Sequence, residues 1–293
     1  MHTLLLGGRL VNDQHISDRE VPLLVTNTNN CGLFVTQPNF DVRYRSEFEI
    51  YTVELNQIAQ SERHALLLGG RFQTGDFRTR NSLTNAASPT FFPPIDNQVD
   101  ADFRRISAYA YYTLAVWHPL LLTAGLAYDQ VTFPQNHRQV PIQTGSSTRE
   151  RLNPKAALVW SPAPEVTVRG VYTRSLGGVS FDESYRLEPT QLAGFSQSFR
   201  TLLSESIAGS VSAPTYETIG AALDLKFRNH TYAGFQGEIL SEDIKRTVGI
   251  FDANSAPAIT SSTPEELNYA EHSAAVTINQ LLSDEWSLGT RSC

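Results

Sequence analysis

Strict alternation of polarity constrains this chain more than any other feature. From Phe103 to Trp117 the even positions Ile106, Ala108, Ala110, Tyr112, Leu114 and Val116 are apolar, after Arg104. The odd positions Arg105, Ser107, Tyr109, Tyr111 and Thr113 are polar or mixed. Successive side chains of a β-strand point to opposite faces, so the pattern predicts a strand with one apolar face. Leu120 to Asp129 repeats it, with Leu120, Leu122, Ala124, Leu126 and Tyr128 opposite Thr123, Gly125, Ala127 and Asp129. In Thr218 to Arg228, Ile219, Ala221, Leu223, Leu225 and Phe227 oppose Gly220, Asp224, Lys226 and Arg228.

Two near-identical octets, HTLLLGGR at His2 and HALLLGGR at His64, belong to a wider set of strand starts. The others begin at His118, Glu165, His230 and Glu285, separated from one another by 54, 47, 65 and 55 positions after an initial 62. A solenoid would hold a nearly fixed period. The drift predicts a repeated hairpin: strand, short turn, strand, variable connection. The turns are brief (AQSER, WHP, SPAPE, RNH, LSDE), whereas the connections between hairpins are long. Those connections are predicted at residues 75–100, 134–149, 176–214 and 248–267. In the longest, Leu192, Phe195, Phe199, Leu202 and Leu203 follow Pro189 at helical spacing and predict a short helix.

Short turns at one end and long loops at the other are the asymmetry of outer-membrane barrels. A soluble sandwich has no reason to sort its connections, and long unstructured loops are uncommon in compact domains. The fold class predicted is all-β, an antiparallel up-and-down transmembrane β-barrel with short periplasmic turns and long extracellular loops. About eleven strands are expected. Alternation assigns Ile106, Leu114, Leu122, Leu126, Leu223 and Leu225 to lipid. Tyr112, Trp117, Tyr128, Trp160 and Tyr172 fall near strand ends, which suits aromatic girdles at the membrane interfaces.

Composition narrows the function classes. The apolar runs fall far short of the roughly 20 residues a spanning helix needs. A formal net charge of -7 and the lack of a basic run disfavour a nucleic-acid partner. Cys31 and Cys293 form neither a disulfide framework nor a metal motif. No two histidines show ligand spacing. Asp96, Asp100 and Asp102 lack the glycine turn and terminal glutamate of a calcium loop. No nucleophile motif such as G-x-S-x-G occurs, so neither a catalytic residue nor a cofactor is expected. Arg9, Arg71, Arg105, Arg169 and Arg174 lie in strands with Glu47, Glu49, Asp224 and Glu238. They make either a charged lumen or ion pairs at the rims.

The run NPKAALVWSPAPEVTVRGVYTRS, Asn153 to Ser175, resembles a hairpin of TonB-dependent receptors: a proline near the strand start, a proline-containing turn, and a return strand ending Tyr172, Arg174, Ser175. RLEPTQLAGFSQSF, Arg186 to Phe199, is similar to that family's Leu-x-Pro-Glu stretch, with Thr190 in place of the glutamate. Pro214 to Glu238 and NQLLSDEWSLGTR also resemble porin-like barrels fused behind tetratricopeptide repeats. The resemblance covers about half the chain and implies the bacterial outer membrane, with lipid as a partner and no enzymatic step. It further implies uptake of an unidentified small solute, with TonB-type energy coupling through a plug. Strand pattern starts at His2 and neither a plug nor a TonB-contacting box is found, so residues 1–293 read as one barrel domain, a middle segment of a larger barrel. A porin-like or export barrel linked to TPR repeats, and a soluble all-β binding protein, are the alternatives. The parent gene's upstream sequence separates uptake from export.

Overall fold

Alternation resolves into one continuous sheet. A computed structural model describes residues 1–29, 32–117, 119–178, 186–197, 213–282 and 286–292. In chain order the strands are β1 (His2–Pro22), β2 (Val25–Asn29), β3 (Gly32–Thr36), β4 (Asn39–Gln60), β5 (His64–Thr84), β6 (Ile95–Trp117), β7 (Leu120–Asn136) and β8 (Gln143–Ala163). They continue as β9 (Val166–Leu176), β10 (Gln191–Leu192), β11 (Phe195–Ser196), β12 (Thr215–Lys226), β13 (Thr231–Asp252), β14 (Ile259–Leu281) and β15 (Ser287–Ser292). Eleven of them form one antiparallel path, β1-β4-β5-β6-β7-β8-β9-β12-β13-β14-β15, an up-and-down order in which chain neighbours are sheet neighbours. Among the described residues, β1 pairs with β4 alone and β15 with β14 alone, so the sheet is an open arc.

The predicted asymmetry is present, but the strands run further than alternation of apolar residues suggested. The turns at one end span residues 61–63, 164–165 and 227–230. At the other end β5 continues to Thr84 and β6 begins at Ile95, inside the stretch expected to be loop. β7 and β8 close to within residues 137–142, and β13 and β14 to within 253–258. These extensions carry charge on the outer face, which hid them from a search for apolar periodicity. Cross-strand pairs tie them together: Arg80 to Asp96 at 2.5 Å, Arg45 to Asp13 at 3.1 Å, and Lys245 to Glu266 at 2.8 Å. Such exposed pairs contribute only ~0.2–1 kcal/mol each, so the backbone ladder carries most of the extension.

The helix expected after Pro189 is absent where it can be checked. Leu192 and Phe195 lie in the two-stranded hairpin β10–β11, turned by Ala193 and Gly194 at positive φ. Glycine makes that turn without a Cβ clash, and a two-residue turn cannot coexist with a helical ridge. Phe199, Leu202 and Leu203 lie outside the described residues, as do Cys31, His118, Glu285 and Cys293.

The arc curls on itself at the long-loop end. β2 runs parallel to the end of β13, Val25 opposite Phe251. Leu23, Val25, Phe40, Phe92, Ile142 and Phe251 meet there in a buried apolar cluster, with Phe40 stacked on Phe251 at 4.9 Å. The connection between β7 and β8 folds across to β13, where the Gly249 N–H donates to the Gln139 carbonyl at 3.3 Å. A Cβ at Gly249 would collide with the Pro141 carbonyl, so the close approach depends on glycine.

Candidate functional site

Two chemically distinct faces follow from the parity of each strand. On the convex face the structure places Ile106, Leu114, Leu122, Leu126, Leu223 and Leu225, with Leu126 46% exposed. They join cross-strand rows of like character: Tyr112–Ala124–Ala156–Tyr172, then Leu114–Leu122–Leu158–Gly170. Trp117 and Trp160 both lie opposite Leu120 at the short-turn end. Tyr128 lies opposite Ala108 and Leu152, eight residues further along β7, about 27 Å along the strand. Beyond it the convex face becomes polar at Gln130 and Glu150. Tyr112 meets the His64 Nδ1 at 2.6 Å where β5 begins, and Tyr172 lies between Ala156 and Ile219.

The concave face carries the opposite chemistry. Arg105 is fully buried and donates to Asp129 Oδ1 at 2.9 Å and to the Leu176 carbonyl at 2.9 Å. Ser107 donates to the same carboxylate at 2.6 Å and the Asn153 amide at 2.8 Å. A second group lies alongside. The Lys155 ammonium is 3.1 Å from Glu188 Oε1, which also accepts from the Tyr111 hydroxyl at 2.7 Å. Arg186 donates to Glu188 Oε2 at 2.9 Å. Glu54 accepts from the Tyr109 hydroxyl at 2.8 Å and from the Glu188 N–H at 3.1 Å, with Arg71 3.9 Å away. Isolated charges could not be buried this way, and each is set beside an opposite charge.

The charges read from sequence divide between the two alternatives. Arg71 and Arg105 point inward. Arg9 pairs with Glu49 at 2.6 Å on the exposed convex face, and Glu47 pairs there with Arg45. Arg169 pairs with Asp224 at 2.7 Å in the concave mouth near the short turns. It lines a cavity of about 470 Å³ with Lys226, Gln236, Thr277 and Arg291. Arg174 lies on the convex parity of β9, and Glu238 on the concave parity of β13. Asp96, Asp100 and Asp102 all lie on the convex face of β6, Asp96 bound to Arg80. Among the described residues no group of three or more His, Cys, Asp or Glu is arranged to hold a metal ion.

Glu54, Asp129, Lys155, Arg186 and Glu188 were not singled out in sequence. The strand residues among them had a usable signal: Glu54 stands between Val53 and Leu55, and Lys155 between Pro154 and Ala156. A charge at the parity opposite an apolar row must face inward. Glu188 had none, because its place depends on a connection folding back into the arc.

His137 lies in the connection that closes the long-loop end. It is buried, its ring 5.1 Å from Phe77, and its carbonyl accepts from the Tyr44 hydroxyl at 2.8 Å. Burial, with Arg138 beside it, pushes its pKa down to about 4, against a hydrogen bond with the Pro134 backbone. A histidine depressed in the folded state contributes full stability above its unfolded pKa of about 6.5 and loses it as pH falls toward 4. The connection is expected to weaken by about 2 kcal/mol between pH 7.5 and 5. Amide exchange of residues 136–142 measures this, and His137→Gln flattens the dependence. The same profile in His137→Gln would assign it to other groups.

A family model described as "TonB dependent receptor-like, beta-barrel" matches residues 12–232. No curated protein matches the chain. Among solved structures it is similar to a chain of the FpvAI–pyocin S2 complex, at 12% identity and a TM-score of 0.50, covering 98% of this chain and 38% of that one. It is also similar to the copper transporter OprC, at 12% identity and a TM-score of 0.51, covering 98% and 46%. At such identity these likenesses show the fold alone, and this chain spans less than half the length of either. The matched residues run from β1 into β13, so apolar convex band, charged concave face and up-and-down order are features of one recognised architecture: the chain belongs to the TonB-dependent receptor-like β-barrel family of bacterial outer-membrane proteins.

Proposed function

We propose that residues 1–293 are one arc of a larger barrel that moves a solute inward across the outer membrane. The observation that carries this reading is the separation of faces. The same strands present leucine and aromatic rows outward and paired charges inward. An aqueous path bordered by lipid needs that division, and a soluble sandwich core reverses it. Ile106, Leu114, Leu122, Leu126, Leu223 and Leu225 then face acyl chains. Trp117, Tyr128 and Trp160 serve as interfacial rings, and Tyr112 and Tyr172, level with Ala124 midway between Leu120 and Tyr128, lie within the band. The long connections face outside as the solute-recognition surface. Family membership supports uptake by a TonB-type energy-coupling protein acting through a plug.

Sidedness tests the reading. An epitope inserted in the parent protein at Ser255, exposed between β13 and β14, is expected to bind antibody on intact cells. One inserted between Glu62 and Arg63, in the turn between β4 and β5, is expected to bind only after permeabilisation. The reverse result would mean the turns point outward and the proposed direction is wrong.

A further inference from the structure

The concave face is not an open channel wall. Residues 186–197 leave the sheet between β9 and β12 and lie inside the curve of the arc. Where the chain leaves β9 and where it rejoins β12, the Gly177 N–H donates to the Pro214 carbonyl at 2.8 Å and the Ala213 N–H to the Gly178 carbonyl at 2.9 Å. From there the segment touches strands all around the arc. The Asn56 amide on β4 donates to the Leu187 carbonyl at 3.0 Å, and Arg169 on β9 donates to the Ala193 carbonyl at 3.0 Å. Phe195 is buried against β12, where a Cβ at Gly220 would collide with its ring. Gln197 is held by Lys155 and donates to the Pro189 carbonyl at 2.6 Å, which folds the segment back on itself.

Its depth is set by its partners. Tyr111, Lys155 and Gly220 face the segment, and their chain neighbours Ala110, Tyr112, Ala156, Ile219 and Ala221 form the apolar convex band. The segment therefore crosses the concave side at the level where the outside meets lipid. We propose that residues 186–197 are an inbuilt barrier to passage, and that the Glu188 carboxylate is the latch that holds it in place. This rests on the transporter reading above. Glu188 is suited to the role because it is the segment's own charge set among cations of both segment and wall. It neutralises Lys155 on β8 and Arg186 beside it, and accepts from Tyr111 on β6. Without it the segment loses its ionic and hydrogen-bonded link to Lys155 and Tyr111 on the wall, and its hold on the concave face weakens. A solute moving along the part of the concave face between β4 and β12 meets this segment, and passage there requires its release.

Thiol accessibility in the parent protein, reconstituted in liposomes, tests the barrier. In a background carrying Cys31→Ser and Cys293→Ser, Leu192→Cys reports on the segment and Leu126→Cys on the lipid face; the probe is a charged, membrane-impermeant maleimide. Leu192→Cys is expected to be protected, and to label roughly 100-fold faster when Glu188→Gln is added. Asn56→Ala, which removes a wall hydrogen bond without disturbing a charge, is expected to speed labelling by about 10-fold. It serves if Glu188→Gln does not fold. Rapid labelling of Leu192→Cys with Glu188 intact, or rates unmoved by both changes, would overturn the barrier while a protected Leu126→Cys leaves the barrel reading standing. Rapid labelling of Leu126→Cys would overturn the barrel reading and the barrier with it.

Discussion

Asp129→Ala is expected to destabilise the barrel by about 3–5 kcal/mol, the cost of leaving a buried charge without its counter-ion. Asp129, on β7, receives three side chains from the two strands beside it, Arg105 and Ser107 on β6 and Asn153 on β8. Removing it takes the carboxylate away from a fully buried guanidinium. The loss does not mean the pair contributes that much. Desolvation of both ions offsets most of their attraction, and replacing both by apolar side chains of similar volume is often neutral. The double variant Arg105→Met with Asp129→Leu should therefore be far more stable than Asp129→Ala alone. Denaturant unfolding of the parent barrel from lipid vesicles measures Asp129→Ala, the double variant and its two single variants, Arg105→Met and Asp129→Leu. Additive penalties across the double variant would show that Arg105 and Asp129 are not energetically coupled.

The second expectation concerns the outer face. An arginine at Leu126 or Phe235 should cost about 2–4 kcal/mol if the residue faces the bilayer midplane. Phe235 and Gln236 are chain neighbours of opposite parity, both bordering the cavity of about 470 Å³; the Phe235 ring is exposed on the convex face, and Gln236 lies on the concave parity with Arg169 and Thr277. That space accommodates a guanidinium, so Gln236→Arg should cost less than about 1 kcal/mol, within the range of substitutions that neither bury nor strand a charge. The same unfolding measurement decides between them. Equal penalties at Phe235 and Gln236 would remove the assignment of the convex face to lipid, because a soluble sheet with both faces wet would treat them alike.

The two expectations probe one design problem. A strand in a membrane barrel must be apolar on one side and compatible with water on the other at every residue. Here the inner side is a dense polar interior. Tyr109, Tyr111, Leu192 and Phe195 fill the space between the ion pairs, in contact with Val171 and Ala222 from the opposite side of the arc. Closure at the long-loop end is apolar, through Phe40, Phe92 and Phe251, with the buried His137 nearby. The apolar cluster thus lies outside the band, and the charged group around Glu188 within it.

The sequence by itself determined the faces. Period-two alternation places every second side chain on one surface whatever the rest of the fold does, so Leu122, Leu126 and Leu223 could be assigned outward, and Arg71 and Arg105 could be candidates for the interior. Hairpin order was also legible, because short turns such as Ser161–Glu165 force neighbouring strands to pair. Three things were decided only by the tertiary structure. Strand length beyond the band was hidden because the outer face there carries charge, at Arg78, Arg80, Asp96, Asp100 and Asp102, leaving the apolar signal silent along Arg78–Leu83 and Ile95–Asp102. Which inward charges meet was hidden because partners such as Lys155 and Glu188 are brought together by the curl of the sheet. The path of residues 186–197 was hidden because its spacing, Leu192 to Phe195, fits a helix as well as a hairpin. The wall chose between them: Asn56, Tyr111, Lys155 and Arg169 hold polar groups toward the interior that could not be left dry and unpaired, and the folded-back segment supplies their partners.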